Sequence, residues 1–142
     1  MLAVLAVWLW RNPVVLPLVL LADLLGQALS SLGKLMTDRP RPPLRYPDPA
    51  PLVPNPNTPS FPSGHATTSF ACAATLARFA PRRVAIVLYV LAALIAYSRV
   101  YVGVHYPLDV IAGAVLGLLI ATALRPLPAV LQRLRRVLQA KR

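Results

Sequence analysis

Val84 to Tyr97 is a run of fourteen consecutive apolar residues, bounded by Arg82-Arg83 before it and Ser98-Arg99 after it. Two more segments repeat the pattern. Val14 to Met36 contains only Asp23 and Lys34 as charges, and Leu108 to Leu124 contains only Asp109. A bilayer core about 30 Å thick is crossed by roughly 20 mostly apolar residues in a helix, and about 17 suffice. A chain of 142 residues has no soluble core large enough to absorb so much apolar surface, which amounts to 57% of its residues. The runs therefore predict an all-α, integral-membrane helical bundle.

Prolines mark the boundaries. Met1 to Trp10 is an apolar stub too short to span, and it lacks the basic n-region and cleavage site of a signal peptide. Arg11-Asn12-Pro13 restarts the chain, because proline is tolerated in a first helical turn. Helices are expected over about 13–36, 63–79, 83–99 and 107–124, giving about four transmembrane helices. Ten of the sixteen prolines fall in Thr37 to Pro62, so 36–62 is expected to be an extended loop with no helix or central strand. The membrane domain is 1–124. In the tail, 125–142, Leu127, Val130, Leu131, Leu134, Val137 and Leu138 recur at helical spacing beside Arg133, Arg136 and Lys141. That pattern fits a basic amphipathic helix lying on anionic lipid, or a disordered basic end marking the cytoplasmic side.

The net charge of +11, from fifteen Lys and Arg against four Asp, sits between apolar spans. It is read as topology, not as a nucleic-acid surface. If the helices alternate, Arg11, Arg78, Arg82, Arg83 and the six basic residues from Arg125 onward share one side. Lys34, Arg39, Arg41, Arg45 and Arg99 share the other. The first, larger set belongs in the cytoplasm, which places the protein in the plasma (inner) membrane as a multi-pass chain. The five cations outside then need a reason to be there.

Three short segments supply one. Lys34 to Pro42 comes from the end of the first long helix, Pro62-Ser63-Gly64-His65 from the start of the second, and Ser98-Arg99, His105 and Asp109 from the last turn. Both histidines of the chain lie at this level. Clustered Lys and Arg suit a multiply charged anion, and arginine matches phosphate with a bidentate fork. Ser63-Gly64-His65 opens a helix whose free N–H groups favour an anion, and Gly64 allows close backbone approach. His105 and Asp109, four apart, would share a helix face. The carboxylate would set the tautomer and leave the other ring nitrogen free to attack phosphorus. His65 would protonate the leaving alkoxide. A metal bound by these His and Asp side chains would be repelled by the surrounding cations, so neither metal nor cofactor is expected.

Lys34…Arg41-Pro42, Pro62-Ser63-Gly64-His65 and Ser98-Arg99…His105…Asp109 resemble the three signature motifs of the type 2 phosphatidic acid phosphatase (PAP2) superfamily, in order and with both internal spacings. The resemblance spans 34–109. It implies His105 as nucleophile, Asp109 as its orienter and His65 as general acid. Lys34, Arg41, Ser63, Gly64 and Arg99 would hold the phosphate oxygens without metal. Membrane members usually carry about six spanning helices, two of them ahead of the first motif. Here the stub alone precedes it, which would mean a minimal version, a start further upstream, or helices lent by a partner.

Several residues receive plainer readings. Ser63 also serves as an N-cap. Arg39 and Arg45 are loop or headgroup contacts. Gly113 and Gly117 form a packing face, Cys72 is a small buried residue, and Asp23 stays unassigned beyond a pairing with Gln27 one turn on. The function expected is metal-free hydrolysis of a lipid phosphate or diphosphate, of undecaprenyl diphosphate or phosphatidic acid type, through a phosphohistidine on the extracytoplasmic face. The alternative is a truncated or non-catalytic membrane module that binds anionic headgroups. Partners are the lipid substrate and the bilayer, with no nucleic acid, and a homo-oligomer is compatible with the sequence. An outward-facing site favours a polyprenyl diphosphate carrier as substrate.

Overall fold

A computed structural model describes residues 12–46, 48 and 50–140 of the chain. The stub and Arg11 lie outside the described residues, as do Lys141 and Arg142 of the tail. The described chain is helical, in the order α1 (Val15–Thr37), α2 (Pro42–Arg45), α3 (Gly64–Ala77), α4 (Arg82–Tyr101), α5 (Pro107–Ala123) and α6 (Leu127–Ala140). Among the described residues three helical segments, built on α1, α4 and α5, are long and apolar enough to cross a membrane.

The fourth expected spanning helix is shorter than the other three. α3 has 14 residues, roughly 21 Å of rise, and it packs against α1, α4 and α5. Ala66, Thr67, Ala71 and Thr75 are fully buried within those contacts. The three longer helices turn their large side chains outward. Leu20 and Leu24 on α1, Ile86, Val90 and Leu94 on α4, and Ile111 and Leu119 on α5 are all more than half exposed. In water such a surface would aggregate, but against hydrocarbon it costs nothing, and the helices must then cohere by close packing of small residues.

Glycine makes that packing visible. A Cβ on Gly113 would lie 2.6 Å from the Ser63 carbonyl oxygen. On Gly117 it would run into the Thr67 carbonyl oxygen and lie 2.8 Å from the Ala71 nitrogen. The small-xxx-small pair on α5 is therefore the face that meets α3, as its spacing predicts. Below this seam Ala22, Ala71, Ile120 and Leu124 form a buried cluster that joins α1, α3 and the end of α5.

Two expectations need correction. The proline-rich segment is not free of helix, because Pro42 to Arg45 forms one turn. Pro42 and Pro43 sit at its first positions, where a missing N–H costs nothing. Nor do His105 and Asp109 share a helix face. α5 begins at Pro107 after an extended Tyr106, so His105 stands in the turn before the helix and Asp109 in its first turn.

The rest of the loop is tied down by hydrogen bonds. Ser60 N–H donates to Arg39 C=O at 2.9 Å, and Thr37 Oγ1 lies 2.9 Å from the Phe61 carbonyl oxygen. Leu52 N–H donates to Val102 C=O at 3.1 Å. Beside it Gly103 adopts φ +79°, a left-handed conformation that glycine takes without the Cβ clash. The loop is thereby strapped over one end of the bundle.

Candidate active site

That end holds the site. Lys34 lies in the last turn of α1. Asp38 ends the helix in a left-handed conformation, its N–H bonded to Lys34 C=O at 3.1 Å, and the chain turns into Arg39-Pro40-Arg41. α3 opens at Gly64, with Lys34 Nζ 4.0 Å and Ser30 Oγ 3.4 Å from the position a Gly64 Cβ would take. Arg99 is in the last turn of α4. Its carbonyl accepts the N–H groups of Val104 at 3.3 Å and His105 at 3.2 Å, and these two bonds fold the turn that presents His105.

A cavity of about 580 Å³ opens there. Lys34, Arg41, Gly64, His65, Arg99 and His105 all line it, so six of the eight expected site residues share one surface. The other two, Ser63 and Asp109, are fully buried and absent from its lining.

His105 is the best defined of the set. Its Nδ1 lies 3.6 Å from Asp109 Oδ2, longer than a hydrogen bond, with the Ser60 backbone also acting on the ring. Arg41 Nη1 lies 3.3 Å from His105 Nε2. Because a guanidinium only donates, that contact assigns the Nε2 lone pair to the cavity and a proton to Nδ1. Burial pushes the His105 pKa down and the Arg41 charge pushes it further, while Asp109 opposes both. The net effect favours the neutral ring.

Arg41 plays more than the expected part. It is only 3% exposed. Its Nε donates to Thr58 C=O at 2.7 Å, Nη2 to Thr58 Oγ1 at 3.1 Å, and Nη1 to Val104 C=O at 2.9 Å. It joins the proline-rich loop to the His105 turn while reaching the cavity wall. Ser63 departs from expectation as well. Its side chain makes no cap hydrogen bond to α3, and its buried Oγ has no partner. The link it does make is through the backbone, where Ser63 N–H donates to Asp109 C=O at 2.9 Å.

Arg39 was set aside in the sequence as a loop or headgroup contact, and the structure corrects that reading. Its Nη1 sits 2.7 Å from Asp109 Oδ1, and its guanidinium stacks on the Tyr106 ring at 4.3 Å. Asp109 thus has Arg39 on one oxygen, while the other accepts Tyr106 N–H at 2.9 Å and faces His105. The missed signal was alternation. Arg39 and Arg41 each precede a proline, which keeps both extended, and extended residues two apart point to one side. Arg45, by contrast, is exposed and lies near Tyr46, away from the cavity lining. Among the described residues no group of three His, Cys, Asp or Glu side chains is arranged to hold a metal ion.

Known proteins share the fold. The Aquifex aeolicus LpxE structure superposes with a TM-score of 0.75 at 32% identity, over 86% of this chain and 74% of that one. A transmembrane PAP2-type phosphatidylglycerolphosphate phosphatase from Bacillus subtilis gives 0.69 at 34% identity, over 79% of this chain and 58% of that one. The undecaprenyl-diphosphatase BcrC of Bacillus subtilis is 33% identical over 127 residues, 84% of this chain and 62% of the relative. The chain spans less than two thirds of the length of the curated relatives it matches. The family model for the PAP2 superfamily matches residues 15–133, which takes in every helix that builds the cavity, and the chain belongs to that superfamily.

Proposed function

We propose that the protein is a membrane phosphatase that hydrolyses a lipid phosphate or diphosphate without metal, by way of a phosphohistidine. The observation that carries the proposal is the His105 ring. Its Nε2 stands at a cavity lined by Lys34, Arg41 and Arg99, burial and the Arg41 charge favour its neutral form, and a carboxylate lies behind its Nδ1. His65 lies on the same cavity. LpxE apart, the relatives and structures described above are named for lipid phosphate or diphosphate cleavage, which supports the same substrate class.

The steps balance as follows. A phosphate dianion displaces the Arg41 contact from Nε2 and takes the guanidinium and ammonium groups as its partners. Nε2 attacks phosphorus, and the bond from phosphorus to the leaving oxygen breaks. That oxygen departs with a proton from His65, leaving as a lipid alcohol or, from a diphosphate, as a lipid monophosphate. The positive charge that develops on His105 is stabilised by Asp109 at Nδ1. Water then gives a proton to His65 and attacks the phosphohistidine, releasing inorganic phosphate and restoring both rings. Positioning and charge stabilisation are most of what phosphoryl transfer requires.

The cavity end of the bundle is proposed to face outward. Arg78 and Arg125 meet at the opposite end, where Arg78 Nη2 donates to Arg125 C=O at 3.1 Å. That end also begins α4 with Arg82-Arg83, and the excess of basic residues there marks the cytoplasm. Helix α6 continues from it, with the apolar spacing of its sequence suited to the inner membrane surface.

The test is phosphate release by detergent-purified protein in EDTA, from undecaprenyl diphosphate and phosphatidic acid in parallel. Release should persist in EDTA and fall by on the order of 10³-fold or more in His105→Ala. Folded protein that releases no phosphate from either lipid would count against this reading and favour a non-catalytic, headgroup-binding module.

A further inference from the structure

The cavity continues well past the phosphate end. On α1 it is lined by Asp23, Gln27, Ser30, Ser31 and Lys34, whose spacing places them on one face of the helix. From Lys34 to Asp23 is eleven residues, roughly 16 Å along the axis, so the polar stripe reaches about halfway through a 30 Å hydrocarbon layer. Elsewhere on the same helix Leu16, Leu20, Leu24, Leu32 and Leu35 are more than half exposed, and these suit lipid. An ionisable side chain at such depth is costly unless it faces a cavity with work for it.

The stripe changes character along its length. At its outer end are donors, the Lys34 ammonium and the Ser31 hydroxyl. At its inner end Gln27 Nε2 donates to Asp23 Oδ2 at 2.6 Å, and among the described residues that is the one hydrogen bond Asp23 makes. Asp23 Oδ1 and Gln27 Oε1 remain as acceptors. Ser30 Oγ donates to the Gln27 carbonyl at 3.1 Å and keeps its lone pairs. Asp23 and Gln27 lie roughly 10–16 Å along the helix axis from Lys34 at the phosphate end, and a hydrocarbon chain lying against them would leave a carboxylate and an amide without solvation.

The geometry points to Asp23 and Gln27 as a specificity subsite for lipids that carry hydroxyl or amide N–H donors roughly 10–16 Å from the phosphate, between it and the hydrocarbon. Sugar-linked lipid phosphates are of this kind. A lipid whose phosphate is joined straight to an isoprenoid or alkyl chain is not, so the subsite ranks the polyprenyl diphosphate expected from sequence below a glycosylated lipid phosphate. The carboxylate adds a second filter, because it repels any further phosphate at that depth. This inference rests on the proposed placement of the scissile phosphate beside His105.

Two probes with the same tail separate the cases: hexadecyl maltoside phosphorylated on its outer sugar, and hexadecyl phosphate. Their kcat/KM ratio is measured for the full-length protein, for Asp23→Leu and for Asp23→Asn. Their binding ratio is measured by titration calorimetry on the same three proteins carrying His105→Ala. The sugar lipid should be preferred by the parent protein. Asp23→Leu should cut both ratios roughly tenfold, the worth of one hydrogen bond to a charged group, and Asp23→Asn should keep part of the preference. Because each ratio is taken within one protein, a general loss of folded material cancels. If no phosphate is released from either probe, the phosphatase reading fails while the binding ratio still decides the subsite. Ratios unchanged by Asp23→Leu, or tighter binding of hexadecyl phosphate by the parent protein, would overturn the inference.

Discussion

Arg39 Nη1 lies 2.7 Å from Asp109 Oδ1, an ion pair between residues seventy apart in the chain. Asp109 is fully buried and Arg39 keeps about a third of its side-chain surface exposed. A carboxylate left alone in that position would lack a counter-charge, and it would be free to rotate away from His105. Arg39 is therefore placed to hold Asp109 where, in the proposed mechanism, it orients the ring.

Arg39→Ala should lower kcat by roughly 10- to 100-fold, with KM much less affected, because the ring loses its orienter and not its substrate contacts. The melting temperature should fall too. Breaking a buried pair costs about 3–5 kcal/mol, and the exposure of Arg39 discounts that to about 1–3 kcal/mol. Arg39→Lys should recover much of the stability and less of kcat, since an ammonium lacks the planar fork. A change confined to KM would place Arg39 on the substrate.

The pH response of His105 has a definite sign. Burial and Arg41 hold its pKa below the ordinary value of about 6.5. The neutral, reactive ring is thus fully present above that lowered pKa and is lost only as pH falls through it. Diethyl pyrocarbonate modification of a His65→Gln protein reports His105 alone, since the chain has two histidines. Its rate should stay on the plateau through pH 6.5 and decline below. Asp109→Asn removes the one acidic group that raises the pKa, so the decline should move to still lower pH even as turnover is lost. A midpoint at or above 6.5 in the parent protein would contradict the arrangement.

Arg41 ties the Thr58 segment of the loop to the Val104–His105 turn. Arg41→Lys keeps the charge, but a single ammonium nitrogen cannot reach the partners that three guanidinium nitrogens span. Phosphate release should fall by about 10²-fold or more, and limited proteolysis should cut within residues 50–60 much faster than in the parent protein. Lost activity with an unchanged digestion pattern would assign Arg41 to the substrate alone.

The glycine seam predicts a contrast between two neighbouring positions on α5. Gly117→Val forces atoms against the α3 backbone and should destabilise by at least about 3 kcal/mol, the upper end of overpacking costs. Leu119→Ala, at a residue 61% exposed toward lipid, should cost less than about 1 kcal/mol. Melting temperatures in one detergent compare them directly, and equal losses would refute close packing as what holds the bundle.

Much of this molecule was legible before any coordinates, for local reasons. Uninterrupted apolar runs have few ways to satisfy their backbone in hydrocarbon, so three long helices could be read to within a few residues of their starts at Val15, Arg82 and Pro107. The spacing of Gly113 and Gly117 named the seam. The three motifs named eight residues, six of which the fold brings to one cavity lining, because each motif lies at a helix end and those ends fall on one level of the bundle.

What sequence could not decide were relations between side chains brought together from distant segments. His105 and Asp109 looked like a helical pair by spacing, but the helix starts after His105, so tertiary packing sets their separation. Ser63 had the identity of an N-cap, yet its backbone is bonded to Asp109 and its hydroxyl is left buried and free. Arg39 became the partner of Asp109, and Asp23 a lining residue of the same cavity as His105, because α1 is held against α3 by Gly26, whose Cβ position lies 3.1 Å from Thr68. Period and composition report which face of an element is apolar. The direction of a charged side chain depends on the field and space made by segments far away in the chain, and that exists only once the bundle has closed.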